Sequence, residues 1–272
     1  MKDFKNKIVY ITGGSQGIGL ASAKLFAARG AHVIIFARRQ GALEDALKQI
    51  ATGRITDQQK FSCMPLDVSR REDVEATMFR AVKDFGVPDV LLNCAGYAHP
   101  RYFEDISYAQ FDEIMHVDLY GTWNTVSTLA PLMKERGGYI VNTSSMCGFL
   151  GVFGYADYCA AKFGIVGLSE VLRGELKWHN IRVSVLCPPD TDTPGFAEEN
   201  KTKPDETKAV SGAAKMMQPE DVAKALLAGI AKEEFMIIPN FDGRFTWWMK
   251  RFLPGLVDMV MDSDIKKVQK RK

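Results

Sequence analysis

The chain has 272 residues, of which 46% are hydrophobic and 25% charged. This ordinary globular composition excludes a disordered or fibrous protein. The net charge of +2 is unevenly spread: residues 244–272 carry eight Lys or Arg and three Asp, so the rest of the chain is at −3. No basic stripe crosses that body, which argues against nucleic acid binding.

The N-terminal MKDFKNKIVYITGG carries charges where a signal peptide needs an apolar core. Short β-branched or continuously apolar runs predict strands at 7–12, 32–37, 61–66, 90–93, 139–144, 182–187 and 236–239. Helical patterns lie between them, for example at 17–29, 71–84, 107–136 and 155–178. This alternation predicts an α/β fold: one doubly wound parallel sheet of Rossmann type, with helices on both faces. Residues 1–243 then form a catalytic domain, and 244–272 an aromatic and basic tail. Segment 191–218 is long, polar and broken by Pro194 and Pro204, as a substrate lid or a disordered loop would be.

Five cysteines (Cys63, Cys94, Cys147, Cys159 and Cys187) are widely spaced, odd in number and contain no CxxC. They read as reduced thiols in a cytoplasmic protein. The histidines show no ligand spacing, so no metal is expected. No run of eighteen apolar residues is present to span a membrane.

The first strand runs into Thr12-Gly13-Gly14-Ser15-Gln16-Gly17-Ile18-Gly19 and then a helix. Glycines permit the tight turn and a close backbone approach to phosphate, and the helix N-terminus adds partial positive charge. This strand–turn–helix context points to dinucleotide binding through Gly13, Ser15, Gln16, Gly17, Ile18 and Gly19. At the end of the second strand, where an acid would accept from a ribose 2′-OH, stand Arg38 and Arg39. Either they begin a solvated loop or they grip a 2′-phosphate; the missing acid favours NADPH. Asp67, followed by Val68, either accepts from the adenine amino group or caps the next helix, where Ser69 is the better cap. In Asn93-Cys94-Ala95-Gly96 the small residues let backbone lie beside a cofactor, although a plain turn would also use Gly96.

Tyr158 and Lys162 are four apart in a helical stretch and so share a face, and Ser145 ends the fifth strand. Together, TGGSQGIG, NCAG, Ser145 and YCAAK resemble the short-chain dehydrogenase/reductase family across residues 5–240. Tyr155, with Cys159 four residues on, does not fit the motif. The resemblance implies that Tyr158 is the general acid in reduction. Lys162 would lower its pKa and hold the nicotinamide ribose, while Ser145 would hold the substrate oxygen. Where the family places an Asn that anchors a water in the proton relay, this chain has Asp118, which when ionised cannot donate as Asn does. After the sixth strand Pro188 is followed by Pro189 in place of the family's glycine; Thr191 and Thr193 are candidates to hold the carboxamide.

The segment PPDTDTPGFAEENKTKPDET is similar to that of the 3-ketodihydrosphingosine reductase subfamily, which implies NADPH-dependent reduction of a sphingoid lipid ketone to the alcohol in sphingolipid synthesis. The alternatives are another short-chain reductase, acting on a 3-oxoacyl thioester, a steroid or another ketone, and a non-catalytic NADPH-binding sensor. Eukaryotic members carry an N-terminal hydrophobic segment that this sequence lacks, so a soluble or peripheral cytoplasmic protein is expected. Trp247, Trp248, Phe252 and Leu253 beside Lys250 and Arg251 suit either a membrane interface or packing on protein. The resemblance also implies a homodimer or homotetramer through helices 107–136 and 155–178.

Overall fold

The computed structural model describes residues 1–212 and 216–270. Strands Ile8–Thr12 (β1), His32–Ala37 (β2), Phe61–Pro65 (β3), Val90–Asn93 (β4), Gly138–Thr143 (β5), Ile181–Leu186 (β6) and Met236–Ile237 (β7) form one sheet in the order β3-β2-β1-β4-β5-β6-β7. Every pairing is parallel. The apolar runs of the central strands are continuous because both faces are covered. Along β1, Val9 and Ile11 face one helical layer and Tyr10 the other.

The helices are Gly17–Ala27 (α1), Gln40–Ala51 (α2), Arg71–Phe85 (α3), Tyr108–Ile114 (α4), Gly121–Met133 (α5), Ala156–Leu176 (α6), Pro194–Glu199 (α7), Asp205–Ser211 (α8), Pro219–Lys232 (α9), Phe241–Phe252 (α10) and Pro254–Gln269 (α11). Phe26 of α1, Leu43 and Ile50 of α2, and Leu226 and Ile230 of α9 pack on one face of the sheet. Val74 and Met78 of α3, Leu129 and Met133 of α5, and Leu176 of α6 pack on the other. The strand order reverses between β1 and β4, and the crevice at the carboxyl ends of these strands is where such sheets bind ligands.

Three local expectations change. The stretch 107–136 is not one regular helix: a π-helical turn, Met115–Tyr120, separates α4 from α5. Such turns insert a residue into the helical repeat and re-aim side chains; Asp118 lies within this one. Ser69 does not cap α3, whose N-cap, Arg70, makes no side-chain capping bond. The Ser69 N–H instead donates to Asp67 Oδ1 at 3.0 Å, closing an Asx turn before the helix, and the Ser69 hydroxyl donates to the same oxygen at 2.7 Å. The lid contains two short helices, α7 and α8, and α11 of the tail folds back against α8. Parts of both expected segments, 213–215 of the lid and 271–272 of the tail, lie outside the described residues. Among the described residues no helix is long and apolar enough to cross a membrane.

Candidate active site

A cavity of about 890 Å³ opens along the carboxyl ends of the strands. Its first wall is the loop between β1 and α1. Gly13 has φ 67°, and a Cβ there would sit 2.7 Å from the Cys94 carbonyl oxygen; only glycine lets the β1 and β4 loops meet this closely. Thr12 Oγ1 ties them further by accepting the Cys94 N–H at 3.2 Å. The N-cap of α1, Gln16, makes no side-chain cap bond, and the first turn holds no acid. Its orphan N–H groups therefore face the cavity uncapped, a ready anion site that fits a dinucleotide pyrophosphate.

Gly13, Ser15, Gln16, Gly17, Ile18 and Gly19 line this end. Arg38, Arg39, Asp67 and Val68 stand beyond them, and Ala95, Gly96, Pro188, Thr191 and Thr193 continue the wall. Arg39 donates to Gln16 Oε1 at 3.1 Å, whereas Arg38 forms no ion pair among the described residues. Thr191 Oγ1 donates to the Pro189 carbonyl at 2.8 Å. Thr193 caps α7 by accepting the Phe196 N–H at 3.1 Å.

Asn93 does not reach the cavity, contrary to expectation. It is buried, its amide donates to Asn142 Oδ1 at 2.9 Å, and its own Oδ1 accepts from Thr125 at 2.7 Å. It braces β4 against β5 and α5, and the backbone that follows it forms the wall.

Ser145 follows β5 and caps a short turn, its Oγ accepting the Cys147 N–H at 3.2 Å. Tyr158 and Lys162 project from successive turns of α6, with the ammonium 5.2 Å from the Tyr158 ring centre. All three line the same stretch of cavity. Asp118 lies behind them, off the cavity wall and fully buried. Lys162 Nζ donates to Asp118 Oδ1 and to the Thr143 carbonyl, both at 3.2 Å, while Asp118 Oδ2 has no hydrogen-bond partner among the described residues. Burial pushes the Asp118 carboxyl up to about 6, against the opposing pull of Lys162. A Cβ on Gly96 would run into Asp118 Oδ1, so this glycine makes room for the carboxylate as well as for the cavity. The Tyr158 phenol is held well above its ordinary range, first by burial and then by Asp118, with a hydrogen bond from Ser145 opposing.

Several wall residues carry no motif and escaped the sequence reading. Tyr155 lies next to Tyr158, their ring centres 5.8 Å apart, and donates to Glu199 of the lid. The Glu199–Lys203 spacing of four was the available signal for this lid cluster. Beyond the lid, Phe245 and Met249 of α10 and Val257, Val260 and Met261 of α11, with Asp242, Thr246 and Asp264 among them, extend the cavity as a mainly apolar wing.

A sheet of this order, a glycine loop and a Ser–Tyr–Lys constellation define a nicotinamide-dependent oxidoreductase, and the short chain dehydrogenase model matches residues 7–204. The chain belongs to that family. It is 38% identical over 237 residues to a 3-ketodihydrosphingosine reductase of Bos taurus, covering 86% of this chain and 71% of the relative. It is 40% identical over 229 residues to a 3-dehydrosphinganine reductase of Danio rerio, covering 84% and 69%. Among solved structures, levodione reductase shares the fold, with a TM-score of 0.75 at 24% identity over 86% of this chain and 95% of that one.

Proposed function

We propose that this protein uses NADPH to reduce the ketone of a 3-ketodihydrosphingosine to the alcohol. The observation that carries the reading is the joining of two features in one cavity: Ser145, Tyr158 and Lys162 at its centre, and an apolar wing from α10 and α11 at its substrate end. That wing suits an alkyl chain better than a compact polar ketone. The relatives' names point the same way. Arg38, without an ion-pair partner among the described residues, suits a 2′-phosphate.

A nicotinamide held along the glycine loop would supply the hydride for the ketone carbon. Tyr158 delivers a proton to the ketone oxygen, so carbonyl plus hydride plus proton gives the alcohol. Ser145 donates a hydrogen bond to the same oxygen, where negative charge builds up. Lys162, 5.2 Å from the Tyr158 ring centre, would hold the nicotinamide ribose. Thr191 and Thr193, both on the cavity wall, would hold the carboxamide.

Outside the cavity lining the tail exposes Phe241, Trp248 and Phe252 near Lys250 and Arg251, which supports peripheral contact with a membrane from the cytoplasmic side. Exposed Tyr120 and Trp123, and exposed Phe163 of α6, support a homo-oligomer through the α4, α5 and α6 region. NADPH oxidation by purified protein with the sphingoid ketone in detergent tests the reading; no turnover would refute it.

A further inference from the structure

The substrate end of the cavity is acidic on its surface and basic behind it. Asp190 and Glu199 line the wall, with 33% and 16% of their side chains exposed. Lys203 lies behind them, its side chain 2% exposed. Its ammonium is 3.8 Å from Asp190 Oδ2, 3.2 Å from Glu199 Oε1 and 4.4 Å from the Phe196 ring centre. One ammonium against two carboxylates leaves an excess negative charge, and the carboxylates are what the cavity meets. Among the described residues lining the cavity, Lys162 is the basic group at this end, and Asp118 already holds it.

Placement ties this charge to the reacting centre. Glu199 is bonded to Tyr155, whose ring adjoins that of the proton donor Tyr158. A ligand oxygen at Tyr158 would thus have its next-door substituent beside Tyr155 and Glu199. Burial raises both carboxyls above their usual range, with Lys203 opposing. A cation seated against them would offset that desolvation. A neutral substituent would gain no such term, and an anionic one would be repelled.

Resting on the reading of this site as a sphingoid-ketone reductase, we infer that Asp190 and Glu199, set by Lys203, bind the ammonium group on the carbon next to the ketone and so select an amino ketone over a plain one. Lys203 is a positioning residue: it fixes the carboxylates and does not itself touch the cavity.

The test compares two substrates in detergent with NADPH: 3-ketodihydrosphingosine and the same hydroxyketone without its amino group. Wild type should favour the amino ketone in kcat/KM. Glu199→Gln should cut that preference by about tenfold or more, as expected for losing a buried charge pair, chiefly through KM. Equal losses on both substrates would overturn the inference while leaving the proposed function standing. Wild type inert on the amino ketone would overturn the proposed function itself. A second measurement needs no variant: dodecylamine should inhibit wild type at least about tenfold better than dodecanol, and equal inhibition would overturn the inference whether or not Glu199→Gln folds.

Discussion

Lys162 Nζ lies 3.2 Å from Asp118 Oδ1, and both side chains are closed off from solvent. The pair couples a carboxylate to the residue expected to tune Tyr158. Above a pH of about 6 Asp118 is charged and holds the ammonium; below it the carboxyl is neutral and behaves more like the family's Asn. The same negative charge raises the Tyr158 phenol.

Asp118→Asn removes that charge at every pH. The phenol should then ionise at lower pH, so in alcohol oxidation, where phenolate is the base, the rising limb of the pH–rate profile should move toward acid by about one pH unit. A limb that stays in place would show that Asp118 does not act on Tyr158.

Tyr158→Phe keeps the ring and loses the proton. Turnover should fall by about 10² to 10⁴, while NADPH binding, followed by fluorescence titration, should stay within a few fold. Retained turnover would assign the proton to another group.

Arg38→Glu replaces the phosphate grip with an acceptor for a free ribose hydroxyl. The loss for NADPH should be about 2 kcal/mol, roughly thirtyfold in kcat/KM. NADH should be spared or improved. Equal effects on both cofactors would place Arg38 outside the 2′-phosphate site.

Leu226→Ala tests the layer that holds α9 on the sheet. Leu226 is fully buried, and its loss leaves a cavity among α1, α9 and the strands. Urea unfolding should show about 3 kcal/mol of destabilisation; a change well under 1 kcal/mol would mean that this layer repacks freely.

The parallel sheet was legible because its strands are apolar on both faces, and the loop, Ser145, Tyr158 and Lys162 because their chemistry needs fixed spacing. Other features depend on distance in space. Asn93 reads as a cofactor neighbour by position, yet its amide is spent on Asn142 and Thr125. The π-helical turn that holds Asp118 leaves no period in the sequence that separates it from a regular helix. Asp190 just before the lid and Glu199 and Lys203 within it look like ordinary loop polarity until the fold buries Lys203 behind the two carboxylates. The apolar wing is contributed by two tail helices whose register against the lid no local pattern specifies.

The central claim is best tested by NADPH consumption with 3-ketodihydrosphingosine in detergent, run beside NADH and a short 3-oxoacyl thioester. Fast turnover is expected with NADPH and the sphingoid ketone alone. Turnover confined to the thioester would contradict the substrate assignment and leave the catalytic one intact.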